Sequence, residues 1–311
     1  MFRLRKKRDV VLHASQIELI EFVFFSLVTM IFLNIIKGKK NFDLGDGQER
    51  IKRKYYERID HDQDCSRCER RRKMLKVTNT EVFGWMAAIR GMRNPRGSWE
   101  KSDSGWHGEF FYATGMPIID IGPNDFALMK KLVAAGSDHS KFMCMIHVQC
   151  DWEAPFYWWK EADTYKVGTV RNPCSTMNKI TEHEFTIDMF AHEHLKKHAL
   201  AMLRCTIDEL NYWRNIYMHG GHVDNYNGTD IVYPLNDKDA WWQLIQLLPS
   251  SYLQKATMDF NYAVLRNMYH SRNHHKQDEW REDFCNWVKT LPYSELITMT
   301  KEELLESVKE E

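Results

Sequence analysis

Residues 142–163 constrain the fold more than any other stretch. Phe142, Cys144, Ile146, Val148 and Cys150 share one face, and Met143, Met145, His147 and Gln149 share the other. A period of two predicts a strand, and two fairly apolar faces predict a central one. Asp151 to Pro155 breaks that pattern. Pro155 then suits the first turn of a helix through Phe156, Trp159 and Ala162.

The flanking segments predict a mixed architecture. Val77 to Arg90 reads as a short strand running into a small helix. Arg90 to Gly108 is rich in Gly, Ser, Asn and Pro and reads as a long loop. Its Arg90, Arg93 and Arg96 either meet a phosphate or form a solvated basic surface. Gly122-Pro123-Asn124-Asp125 starts a helix that Gly136 stops. Thr206 and Glu209 read as a capping box, and Gly220-Gly221 stops the helix that follows. Residues 222–236 read as a polar loop, and Asp237 to Leu248 as a helix. Ser251 to about Arg272 reads as one long helix, and Asp278 to Leu291 as another. Thr300 and Glu303 form a second capping box. The sum is α+β, a modest central sheet packed with long helices.

Charge divides the chain. The 43 Lys/Arg and 43 Asp/Glu cancel, which argues against a general nucleic-acid coat. Residues 1–73, however, hold 18 Lys/Arg against 11 Asp/Glu. They read as a basic leader over 1–40 and a charged linker over 41–73. Within the leader, Ile17 to Ile36 is a 20-residue apolar stretch interrupted by Glu18 and Glu21. That is near the length a spanning helix needs. It reads either as a membrane anchor or as an unstructured extension. Met74 opens globular composition, with a domain over 74–295 and a charged helix over 296–311.

The seven Cys form no regular framework, so reduced thiols and a cytoplasmic setting are expected. Cys65-Ser66-Arg67-Cys68 lacks a second Cys pair. His192, His194 and His198 do not form H-E-x-x-H, so no metal site is expected. Walker, Rossmann and nucleophile-elbow patterns are all absent. Residues 154–180 gather Lys166, Gly168, Thr169, Arg171, Asn172, Ser175 and Thr176 on a turn beside aromatic surface. Those donors suit an anionic ligand with a flat ring, and they equally suit an ordinary helix C-terminus.

The order of features resembles the flavin-dependent thymidylate synthases. That family has a strand, Ala-Pro, an aromatic helix and then R-H-R-x-x-S-x-N-E-x-S-x-R-Y. Here the Ala-Pro is Ala154-Pro155, the helix is Phe156 to Asp163, and Thr164-Tyr165-Lys166-Val167-Gly168-Thr169 stands at the signature. A second block resembles the family's L-P, helix Asn and L-R-x-D-x-H-A-Q-W-E. It comprises Leu248-Pro249, Asn261, Leu265, Arg272 and the run to Glu279-Trp280. The resemblance covers about 77–292, with an apparent helical insertion at about 181–240. Thr164 and Lys166 replace the signature arginines, and Tyr165 replaces the central His. Ala263 and Lys276 replace a family Arg and His.

The resemblance implies a homo-oligomer, a homotetramer, built around FAD. Its reaction passes a methylene from methylene-tetrahydrofolate to dUMP, with NADPH as reductant. It implies cofactor contacts from Lys166, Thr169 and Asn261. It implies substrate contacts from Ser175, Arg272 and Lys276. No catalytic residue follows from it. The lost arginines equally suit a repurposed scaffold of the same fold, binding a nucleotide or a protein.

Overall fold

The computed structural model describes residues 74–110, 117–224 and 230–309. The leader, the linker and Cys65-Cys68 lie outside the described residues. Among the described residues no helix is long and apolar enough to cross a membrane.

In chain order the elements are β1 (Lys76–Phe83), α1 (Trp85–Arg93), β2 (Gly105–Phe110), β3 (Pro117–Asp120) and α2 (Pro123–Ala134). Then come β4 (His147–Pro155), α3 (Phe156–Ala162), β5 (Thr169–Pro173), α4 (Lys197–His219), β6 (Gly221–Asp224) and β7 (Asp230–Tyr233). They are followed by α5 (Lys238–Leu247), β8 (Leu253–Asn261) and α6 (Tyr262–Arg272). A π-helical turn over Glu279–Phe284 and short helices to Ser307 complete the chain.

Four strands form one antiparallel sheet in the order β1-β4-β8-β5. Val148, Cys150, Trp152 and Ala154 of β4 are buried, as are Ala256, Met258 and Phe260 of β8. That alternation turns one face to the core, as an antiparallel sheet allows. Trp152 sits at the centre. Its ring lies 4.6 Å from Phe260 and 5.1 Å from Trp158, centroid to centroid. A second apolar cluster joins Ile180, Phe185, Phe190, Leu203, Ile207, Leu210 and Leu244. Asp283 Oδ2 accepts the backbone N–H groups of Met74 (3.0 Å) and Leu75 (3.1 Å).

The α+β class stands, but several elements differ from their expectation. Lys141–Met145 is a 3₁₀ turn, so the central strand begins at His147 and runs through Asp151 to Pro155. Asp151 does not break it. It pairs across to β8, accepting from Thr257 Oγ1 at 2.7 Å with Lys255 Nζ at 3.1 Å. The long helix expected from Ser251 is strand β8 followed by α6. The chain switches period at Asn261, whose side chain accepts the Val264 N–H (2.9 Å) as an N-cap.

Thr206 caps nothing. It lies within α4, and its hydroxyl donates to Met202 O (3.0 Å). A continuous buried face of Ala201, Leu203, Ile207 and Leu210 carries α4 through that point. The polar loop over 222–236 holds a two-stranded ribbon, β6 with β7. The turn after α3 contains β5, paired with β8. Thr300 and Glu303 do form the reciprocal capping box.

Candidate functional site

Helix α3 positions the chemistry. Seven residues long, it starts at Phe156 after Pro155 and buries Trp158, Trp159 and Ala162. Two neighbouring surfaces result. One carries Tyr157 and Glu161, the other Phe156, Lys160 and Asp163.

On the first surface, Glu161 meets the end of α6. Arg272 Nη1 pairs with Glu161 Oε1, and Arg272 Nε donates to Tyr165 Oη at 2.8 Å. The guanidinium carbon lies 5.3 Å from the Trp280 ring centroid and 5.4 Å from that of Tyr165. Those distances are in cation–π range. His275 Nε2 lies 3.3 Å from Glu161 Oε2, so one carboxylate serves two nitrogenous side chains. Arg272 Nη2 has no hydrogen-bond partner among the described residues. Beneath the cluster, Trp280 stacks on Trp158 at 4.5 Å, and Tyr157 donates its hydroxyl to the buried Glu279.

On the second surface, Phe156, Trp159, Lys160, Asp163, Arg171, Leu248, Ser250 and Gln254 line an open cleft of about 390 Å³. Arg171 contacts three of its other lining residues. Its guanidinium carbon stacks 3.9 Å from the Trp159 ring centroid. Nη1 bonds both Asp163 oxygens (2.9 and 2.7 Å), and Nη2 bonds Gln254 Oε1 (2.5 Å). The buried Nε has no partner. The cleft is amphipathic, with Lys160 exposed at its rim.

The residues expected to hold ligands do not gather at one point. Arg272 ends α6 and Asn261 caps its start. Eleven helical steps set them about 16 Å apart. Asn261 is buried, packs on Gly168 and caps α6. Thr169 opens β5 opposite Phe260, and its buried hydroxyl has no partner. Lys166 and Lys276 are exposed and make no side-chain bond among the described residues. Ser175 lies at the far end of β5, where its hydroxyl accepts the Asn178 N–H (3.3 Å) as an N-cap.

Arg93 is not a phosphate ligand. It is buried in an ion pair with Asp125 (2.6 Å) and donates to Ser98 O and Lys101 O. Arg90 and Arg96 are exposed. The His192 to His198 cluster disperses. His192 Nδ1 lies 2.8 Å from Phe190 O, and His194 Nε2 lies 3.2 Å from Asp278. No group of three metal-capable side chains forms among the described residues. Glu161, Tyr165, His275 and Trp280 complete the Arg272 cluster. No local spacing announces Glu161, because 111 positions separate it from Arg272.

No protein-family model matches the sequence, and no curated protein matches it. Solved structures do match. Thymidylate synthase X from Helicobacter pylori, crystallised with FAD and dUMP, is 13% identical with a TM-score of 0.50. The match covers 76% of this chain and 100% of that one. A second structure of the H. pylori flavin-dependent enzyme with FAD and dUMP gives 12% identity and 0.48 over 71% and 96% of the two chains. A UMP/dUMP methylase, PolB from Streptomyces cacaoi, bound with 5-Br dUMP, gives 10% and 0.44 over 75% and 94%. The described domain therefore shares the fold of a flavin-dependent thymidylate synthase, at 13% sequence identity.

Proposed function

We propose that this chain is a divergent flavin-dependent enzyme that methylates a pyrimidine nucleotide, with dUMP as substrate and methylene-tetrahydrofolate as carbon donor. The observation that supports it best is Arg272. It is a part-exposed guanidinium between two aromatic rings, with Nη2 free to bond a ligand. On this reading Arg272 orients the base, and Lys276 draws the anionic substrate in.

The cofactor residues fit a flavin nucleotide in part. Gly168 holds the turn at φ +73°, and that turn carries the exposed Lys166 and the partnerless Thr169 hydroxyl. Lys166 would hold a pyrophosphate oxygen as a point charge, and Thr169 would donate to a neighbouring oxygen. Thr164 is engaged elsewhere, donating to Glu161 O at 2.7 Å. Asn261 uses its oxygen as the helix cap and keeps only its NH₂ for a ligand. Reduced FAD, when bound, supplies the hydride; NADPH would reduce it. A homo-oligomer accompanies this reading.

A second reading is a repurposed scaffold that binds without chemistry. The internal pairs favour it, since Arg272, Arg171 and Arg93 each face a carboxylate of the same chain. One experiment separates the two. The full-length protein is soaked with FAD, desalted and scanned for visible absorption, then assayed for dUMP methylation with NADPH and methylene-tetrahydrofolate. Retained flavin and methylated product support the enzyme. A colourless, inactive protein supports the scaffold.

A further inference from the structure

Glu161 stands where a ligand's anion would stand. Its Oε1 takes Arg272 Nη1, and its Oε2 faces His275 Nε2. We propose that Glu161 is the specificity-determining residue of the Arg272 site. Its carboxylate cancels the guanidinium charge, so the site accepts a group by neutral hydrogen bonding and turns away a free phosphate-type anion. This rests on the reading of Arg272 as the ligand-facing cation.

Three observations carry the inference. First, one of the three Arg272 guanidinium nitrogens is unused. Nε goes to Tyr165 and Nη1 to Glu161, while Nη2 stays open. Second, the pair is reachable. The Arg272 side chain is 17% exposed and that of Glu161 is 29% exposed. Both charges therefore lie within reach of a ligand while remaining only partly screened by water. Third, the other positive groups offer no planar fork at this point. Lys166 and Lys276 are exposed, where water and salt screen them. His275 faces the other oxygen of the same carboxylate. An arginine paired with its own carboxylate keeps its donors but loses most of its pull on a second anion.

The test uses the full-length protein and inorganic phosphate, titrated by isothermal calorimetry. Glu161→Gln keeps the shape and an acceptor oxygen and removes the charge. It should bind phosphate about 10- to 100-fold tighter than the parent. The double variant Glu161→Gln with Arg272→Gln should lose that gain, which a merely structural role for Glu161 would not produce. Equal or weaker binding by Glu161→Gln overturns the proposal. So does a gain that survives the loss of Arg272, or no phosphate binding by parent and variant alike. If Glu161→Gln fails to fold, Glu161→Asp keeps the charge but withdraws it by one methylene. It should show the same gain at less than about tenfold, and no gain overturns the proposal. Phosphate binding needs neither flavin nor folate, so a colourless protein would remove the enzyme reading and leave this one standing.

Discussion

Gly168 and Asn261 lie against each other across the turn that leads into β5. A Cβ at Gly168 would fall 2.6 Å from Asn261 Nδ2 and 3.0 Å from Val264 Cγ2. The backbone there has φ +73°, which L side chains rarely adopt. Gly168→Ala should therefore lower stability by about 1–3 kcal/mol, from strain and from pushing on the α6 cap. Asn261→Ala should cost about 1 kcal/mol through the lost cap, and Asn261→Asp, which keeps the oxygen, only a few tenths. Urea denaturation of the three variants checks this ordering. Equal stabilities would separate the turn from the helix start.

Arg93 and Asp125 make the second prediction. Burial pushes the Asp125 carboxyl up, but hydrogen bonds from Ser102 and Ser104 and the Arg93 guanidinium outweigh it and hold it below its ordinary value. A depressed folded value means the stabilisation is complete above the unfolded value and lost as pH falls through the folded one. Stability should fall below about pH 4, and Asp125→Asn should flatten that limb of the curve. Arg93→Met should cost about 3–5 kcal/mol, because it leaves a buried carboxylate without its cation. Thermal melts from pH 3 to 7 report both effects.

The third prediction concerns thiols. Cys144 and Cys174 are exposed, whereas Cys150 and Cys285 are buried. Burial pushes the Cys285 thiol up to about 11 and that of Cys150 well above its ordinary value. Since the thiolate reacts, alkylation at pH 8 should label Cys144 and Cys174 first and spare Cys150 and Cys285 until denaturant is added. Peptide mass spectrometry gives the order directly. Early labelling of Cys150 would mean that the central strand opens.

The α+β class was legible because proline and glycine punctuate the chain at Pro123, Gly136, Pro155 and Gly220, and real elements begin or end there. The run Ser251 to Arg272 misled because its apolar residues suit both periods. Only the N-cap of Asn261 divides it, and a single Asn between apolar neighbours is a weak signal. Thr206 and Glu209 have the spacing of a cap without the break in backbone that a cap needs. At the candidate site, Arg272 was legible and Glu161 was not. The partner of a charged residue 111 positions away is chosen by tertiary packing.

Strand order has one more consequence, for the birth of the molecule on the ribosome. β1 pairs directly with β4, but β8 lies between β4 and β5, so β5 stays unjoined to the sheet until Asn261 has been synthesised. The clamp from Asp283 to Met74 and Leu75 comes later still. The nascent chain must therefore carry Trp152 and Trp158 with their native partners Phe260 and Trp280 still unmade. Completion of the sheet waits for this late strand, and aggregation or chaperone capture competes with it during that interval.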